Sequence, residues 1–119
     1  MPQYVDGFVV PVPKDKIDEY RAIAADAGGL WREHGALEYR ECIADDVAVG
    51  EVTSFPRSVK AGDDETVVFA WITYESRAHR DEVNKKVMAD PRMAEMDPAD
   101  MPVDMKRLIY GGFEVMIEA

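Results

Sequence analysis

One segment of this chain, residues 66–74, constrains the fold more than any other. It reads Thr-Val-Val-Phe-Ala-Trp-Ile-Thr-Tyr, and such β-branched and aromatic residues are typical of a β-strand. Because side chains alternate along a strand, Val68 and Ile72 point to one face while Phe69 and Trp71 point to the other. Both faces are therefore apolar, which predicts a strand covered on both sides.

Three further segments have the composition of strands. They cover residues 3–12, 36–44 and 109–117. A polar stretch joins the second predicted strand to residues 66–74, and its apolar residues Val47, Val49, Val52 and Phe55 suggest a strand extension or an ordered flap.

Two helices are expected between the strands. Apolar residues recur every three or four positions from Ile17 to Trp31, with Asp15 as the expected N-cap and Gly35 as the terminating residue. The pair Gly28-Gly29 lies inside this helix, where each glycine costs about 1 kcal/mol relative to alanine, so close packing or a bend should compensate. Ser76 is the expected cap of a second helix over residues 77–89.

The resulting order is β-α-β-β-α-β, the arrangement of a ferredoxin-like α+β fold. We predict one domain over residues 1–119, with an antiparallel sheet in the order 4-1-3-2 and both helices on one face. The second face of the sheet would then expose a larger apolar patch than monomers usually show, so we predict a homodimer formed through it. The alternative is that residues 97–108 fold over that face.

Charge and cysteine content limit the partners and the compartment. The net charge is −10, with 24 acidic and 14 basic residues, which argues against nucleic-acid binding because phosphates are bound by clustered Lys and Arg. A single cysteine, Cys42, cannot form an internal disulfide, so we expect a cytoplasmic protein with this thiol buried and inert. No apolar run approaches the roughly 20 residues of a membrane span, and no membrane association is expected.

Five stretches together resemble one bacterial family. They are Tyr4–Lys14, Trp31–Ala36, Val68–Ile72, Val87–Met93 and Arg107–Glu114. In this order they resemble the YbaA-like family, a domain-of-unknown-function family in the dimeric α+β barrel superfamily. The resemblance implies ferredoxin-like subunits that pair sheet to sheet into a small barrel, and it implies no activity. Val103 and Met105 depart from the aromatic residue and glycine expected there, which changes the shape of any shared pocket.

Three residues are candidates for catalysis. His34 follows the apolar stripe of the first helix and could act as a general base at the mouth of a cavity between helix and sheet, or only stabilise the helix C-terminus. Asp6 and Glu114 lie on strands that should be neighbours. If both fall on the barrel-facing side, the two carboxylates could share a site, and the pKa of one of them would rise. The alternative is that they are ordinary edge-strand charges or form salt bridges to Arg40 or Arg107 in the dimer.

Four aromatic residues are the candidate ligand contacts: Trp31, Tyr39, Trp71 and Tyr74. With His34 they would line a cavity that binds or converts a small apolar or aromatic molecule. A structure without a cavity above roughly 300 Å³ near His34 would rule this hypothesis out. Five methionines between residues 88 and 105 suit an adaptable cover or an interface.

We predict no metal and no cofactor, since no Cys/His cluster or glycine-rich phosphate loop is present. The alternative function is a non-catalytic, structural or stress-related interaction dimer.

Overall fold

Four strands form one antiparallel sheet in the computed structural model, which describes residues 2–119 of the chain. The strands are β1 (Tyr4–Pro13), β2 (Glu38–Ile43), β3 (Glu65–Tyr74) and β4 (Ile109–Glu114). Their order in the sheet is β2-β3-β1-β4, which is the predicted order 4-1-3-2 read from the other edge. The α+β, ferredoxin-like arrangement predicted from the sequence is therefore confirmed.

The helices follow the predicted places in the chain. The two long ones are α1 (Ile17–Glu33) and α3 (Arg77–Ala89), with the short helices α2 (Phe55–Ser58) and α4 (Pro91–Ala94) and the 3₁₀ turns Lys14–Lys16 and Pro98–Asp100 between other elements. Among residues 2–119, no helix has both the length and the apolar character needed to cross a membrane.

The helix ends confirm two of the three predicted caps. Ser76 caps α3, its hydroxyl oxygen accepting a hydrogen bond from the His79 amide at 3.1 Å. At the end of α1, Gly35 has a φ of +114°, and the amides of Gly35 and Ala36 donate to the carbonyls of Arg32 and Trp31, a Schellman motif. The prediction for Asp15 is wrong, because the chain enters α1 through a 3₁₀ turn and no side chain caps the helix.

The central strand β3 is apolar on both faces, as its sequence indicates. Toward the helices, Val68, Ala70, Ile72 and Tyr74 are buried. On the opposite face, which we call the open face, Phe69 is 43% exposed. The segment 97–108 does not cover the open face, because Met101 and Val103 pack against buried valines on the helix side.

A different segment covers one end of the open face. Val59, just after α2, is buried with Val9 and Val67. The polar connection that contains α2 has no strand extension, and Val52 within it is almost fully exposed. The prediction of a buried thiol is also wrong, because Cys42 is exposed on β2.

The two glycines of α1 differ sharply in their surroundings. A Cβ atom at Gly28 would lie 2.7 Å from Cδ1 of the Tyr39 ring, far inside van der Waals contact. A Cβ atom at Gly29 would meet no atom within 4 Å. Gly28 therefore allows α1 to rest on Tyr39 of β2, which is the close packing that the sequence required.

This contrast gives a matched pair of substitutions. We expect Gly29→Ala to raise the free energy of unfolding by up to about 1 kcal/mol, since it improves helix propensity without a clash. We expect Gly28→Ala to lower it by roughly 1–3 kcal/mol, because the new methyl group must displace the Tyr39 ring. Urea denaturation of both variants measures the effect, and equal stabilisation by the two would contradict the contact.

Candidate functional site

A cavity of about 260 Å³ lies between α1, the helix-facing side of the sheet and the methionine-rich segment 93–108. We call it the inner cavity. Its walls are mostly aliphatic, aromatic and thioether side chains, contributed by Phe8, Val10, Tyr20, Ile23, Ala24, Ala27, Trp31, Tyr39, Glu41, Ala70, Ile72, Met93, Met96, Pro98, Met101, Val103, Met105 and Leu108. Glu41 is the one residue in this set that carries a charge at neutral pH.

Glu41 is held by two tyrosine hydroxyls. The Tyr39 hydroxyl donates to Oε2 at 2.5 Å, and the Tyr20 hydroxyl donates to Oε1. Tyr39 and Glu41 are two positions apart on β2 and so point to the same face, while Tyr20 reaches them from α1. We call these three residues the Tyr-Glu-Tyr cluster.

The cluster keeps both phenols protonated. Burial raises the pKa of Tyr20 well above its ordinary value, and the hydrogen bond to the Glu41 carboxylate and its negative charge raise it further. Burial raises the pKa of Tyr39 in the same way, with the charge of Glu41 and their hydrogen bond adding to it. The two phenols therefore act as hydrogen-bond donors to Glu41 throughout the physiological pH range.

A second hollow of about 430 Å³, the outer groove, lies between α1 and the edge strand β2. It shares four lining residues with the inner cavity, namely Tyr20, Ala24, Tyr39 and Glu41, so the Tyr-Glu-Tyr cluster stands between the two. Arg21 and Arg32 also line the outer groove. Arg21 pairs with Asp18 at 2.9 Å, and Arg32 donates to the carbonyl oxygens of Ala36 and Leu37.

The structure brings together two of the four aromatic residues that were predicted to contact a ligand. Trp31 and Tyr39 line the inner cavity, with ring centroids 6.3 Å apart. Trp71 lies on the open face instead, where its indole donates to Glu38 at 2.6 Å. Tyr74 is fully buried in the core cluster beside α3. Strand alternation places Trp71 on the open face, whereas Tyr74 shares the helix-facing side with the cavity but packs beside Val83 and Val87 of α3.

His34 is outside the lining of the inner cavity and of the outer groove. It caps α1, and its Nε2 lies 2.8 Å from Oδ2 of Asp90. Hydrogen bonds from Arg92 and His34 hold the pKa of Asp90 far below its usual range. The position expected for His34, at the mouth of the cavity, is therefore not the one observed.

One group of side chains has donor atoms close enough to hold a cation among the described residues. Glu33, His34 and Asp90 each offer an atom within 4.8 Å of the others. The guanidinium group of Arg92 already donates to Asp90 and to Glu33, so a cation is present within the group. This arrangement is an ion-pair network that joins the end of α1 to the start of α4.

Asp6 and Glu114 are on neighbouring strands, as expected, but on the helix-facing side. Asp6 lies opposite Gly112 and Glu114 opposite Tyr4 in the β1–β4 register. Asp6 is buried and paired with Arg80 of α3 at 2.7 Å, whereas Glu114 is exposed. The condition for a shared barrel-facing site is thus not met, and the catalytic roles of His34, Asp6 and Glu114 stay predictions.

Sequence reasoning did not single out Glu41 or Tyr20 as site residues. Tyr20 fits the apolar periodicity of α1, and Glu41 lies in a strand segment with no motif around it. The signal that could have identified them is the spacing of Tyr39 and Glu41, which puts both on one face of a strand, together with the Gly28-Gly29 pair in the preceding helix. That pattern places a carboxylate beside an aromatic ring against α1.

Sequence comparison shows what this chain is similar to. Residues 3–105 match the model of a protein family of unknown function, DUF1428. The uncharacterized protein YbaA of Escherichia coli strain K12 is 55% identical over 116 residues, which is 98% of each chain. A YbaA protein of Shigella flexneri matches to the same extent.

Structural comparison agrees on the fold. An uncharacterized NIPSNAP domain protein from Burkholderia xenovorans superposes with a TM-score of 0.61 and 20% identity, covering 98% of this chain and 94% of that one. A dimeric ferredoxin-like protein from an uncultured marine organism superposes with a TM-score of 0.56 and 8% identity, over the full length of both chains. At these identities the likeness concerns the fold.

The raised pKa values of the buried tyrosines predict a loss of stability at alkaline pH. Tyrosine in an unfolded chain has a pKa of about 10, so below that pH the stabilisation is fully present. As pH rises toward the higher folded-state values, the unfolded chain releases its phenolic protons first and the free energy of unfolding falls. Tyr20 and Tyr39 should both contribute.

The variant Tyr20→Phe tests this linkage. Between about pH 10 and pH 11, its free energy of unfolding should fall less steeply than that of the wild-type protein, by up to about 1.4 kcal/mol per pH unit. Urea denaturation at a series of pH values gives both slopes, and measurement at pH 8 provides the reference. Identical slopes would show that Tyr20 does not bind its proton more tightly in the folded state.

Proposed function

The chain belongs to the DUF1428 family of proteins of unknown function, and from this starting point we propose that it binds a small, mainly apolar molecule in the inner cavity. The observation that carries the proposal is the lining of that cavity, in which aliphatic, aromatic and thioether groups surround the Tyr-Glu-Tyr cluster. Binding sites for small molecules commonly combine apolar walls with a few convergent polar groups.

The size of the cavity limits the ligand. At about 260 Å³ it is smaller than the roughly 300 Å³ required of the cavity predicted near His34, and it lies beside Glu41 instead. The prediction of a ligand cavity at His34 is therefore wrong, and the present proposal concerns a different site. A single substituted aromatic ring, or an aliphatic group of similar volume, is the kind of molecule that this space suits. The cluster borders the outer groove as well, which adds about 430 Å³ for any part of the ligand that extends past it.

The methionine-rich segment supplies an adaptable wall. Met93, Met96, Met101 and Met105 all line the inner cavity, and Met105 is 41% exposed. Unbranched thioether side chains change rotamer readily and adjust to guests of different shape. This segment can therefore adjust to ligands of different shape.

Filling the cavity should abolish binding without unfolding the protein. Ala27 lines the inner cavity from α1, and Ala27→Leu places an isobutyl group in that space. We expect 4-methylanisole, used as an apolar probe, to raise the melting temperature of the wild-type protein and not that of Ala27→Leu.

The matched control is Ala22→Leu, which adds the same group to an exposed position of α1 outside both linings. This variant should respond to the probe as the wild-type protein does. A wild-type protein that binds no small apolar probe would leave the alternative function, a non-catalytic interaction dimer, as the better account.

We further propose that the binding unit is a homodimer paired through the open face. The face carries exposed apolar side chains, with Phe69 43%, Ile109 45% and Phe113 64% exposed. Phe69 packs against Trp71 with their ring centroids 5.6 Å apart, so the apolar patch extends along β3. A second copy of the chain would cover this area with an identical apolar face, and the dimeric ferredoxin-like protein with the same fold supports such pairing.

Placing a charge in this face should separate the subunits. We expect the wild-type protein to sediment at twice the 13.4 kDa chain mass, and Phe113→Glu to shift it toward the monomer, because two carboxylates would be buried in an apolar interface. Val52→Glu adds the same charge at an exposed position off the sheet and should leave the dimer intact. A wild-type monomer at micromolar concentration would refute the pairing.

A further inference from the structure

The hydrogen-bonding groups of the inner cavity define what kind of polar group a ligand can carry. Four lining side chains contain strong hydrogen-bonding atoms: Tyr20, Trp31, Tyr39 and Glu41. The remaining lining side chains are hydrocarbon or thioether groups, which donate no hydrogen bonds. The chemistry of recognition in this cavity therefore depends on these four side chains.

Every donor among the four is already engaged. The hydroxyls of Tyr20 and Tyr39 donate to Glu41, and the indole N–H of Trp31 donates to Oδ1 of Asn84 at 3.0 Å. The acceptor lone pairs of these side chains, in contrast, are only partly used. A carboxylate has about four acceptor positions, of which the two phenols use two, and each phenolic oxygen keeps acceptor capacity.

The charge of Glu41 also disfavours a ligand that carries an acceptor anion in place of a donor. Among the described residues, no lysine, arginine or histidine forms a salt bridge with Glu41. The two arginines that line the outer groove pair with other groups, Arg21 with Asp18 and Arg32 with backbone carbonyls. An anion that entered the cavity would meet an uncompensated carboxylate between apolar walls, where charge repulsion is weakly screened.

We propose that the ligand of the inner cavity is an apolar molecule that ends in a hydrogen-bond donor, which binds Glu41 within the Tyr-Glu-Tyr cluster, and that anions are excluded. This inference rests on the proposed function, because it names the ligand class of the same cavity. The donor can be a hydroxyl or a protonated amine, since both present a polarised hydrogen to a carboxylate. A protonated amine would also neutralise the charge of Glu41.

Four probes with the same methyl-substituted ring separate these possibilities. They are 4-methylanisole, which has no donor, 4-methylphenol, 4-methylbenzylamine, which is cationic, and 4-methylbenzoate, which is anionic. Titration calorimetry on the wild-type protein should show the phenol or the amine binding roughly 10- to 100-fold more tightly than the anisole, the range expected for one hydrogen bond to a carboxylate. The benzoate should bind at least about tenfold more weakly than the anisole.

The variant Glu41→Gln tests whether the carboxylate of Glu41 causes the differences in affinity among the four probes. Removing the charge should reduce the preference for the donor probes and the penalty on the benzoate by about tenfold each, with little change for the anisole. Glu82→Gln is the matched control, since Glu82 is exposed on α3, outside the linings of the inner cavity and the outer groove and away from the open face. Its ranking of the four probes should equal that of the wild-type protein.

The outcomes distinguish the two proposals. If the anisole binds as tightly as the phenol and the amine, the cavity binds apolar molecules but the donor assignment is wrong. If the benzoate binds best, the cavity prefers anions, which is the opposite of the proposed ligand class. If none of the four probes binds, the proposed function itself fails. Should Glu41→Gln not fold, the ranking of the probes on the wild-type protein still decides the inference.

Discussion

The antiparallel pairing of β1 with β3, two strands that are apolar toward both sides, is the constraint on which the rest of this structure depends. Ten residues of each strand are in register, from Tyr4 opposite Tyr74 to Pro13 opposite Glu65. One side is buried under α1 and α3, and the other is covered at one end by the segment around α2, through Phe55 and Val59. The sheet therefore separates the inner cavity from the proposed dimer interface, so a substitution on one face can be made without altering the other face.

The position of the carboxylate at the cavity depends on a single close contact between helix and sheet. Gly28 has no side chain, so α1 rests directly on the ring of Tyr39. The hydroxyl of that ring then meets Glu41, and Tyr20 reaches the same carboxylate from two turns earlier on the helix. A glycine that is unfavourable for helix formation is thus compensated by the packing that assembles the polar cluster.

Two partly or fully buried carboxylates on the helix side are stabilised in different ways. Asp6 is paired with the guanidinium group of Arg80, which also lies 4.9 Å from the centre of the Tyr4 ring, so its charge is neutralised within the protein. Glu41 receives hydrogen bonds from two neutral phenols, which stabilise the carboxylate but leave its negative charge. The first arrangement ties α3 to β1, and the second leaves an unneutralised group facing an apolar cavity, where a ligand can complete it.

The sequence by itself determined the order and topology of the elements. Alternating and helical apolar periodicities identified β3 and α1, Ser76 and Gly35 marked helix ends, and the two-faced β3 indicated an open apolar face. These features are local, or follow from a few topological rules. Only the tertiary structure decided that Glu41 and Tyr20 meet at the cavity, while His34 pairs with Asp90 and Trp71 lies on the other face. Such contacts join residues far apart in the chain, and they depend on strand register and on how closely a helix approaches the sheet, which periodicity does not encode.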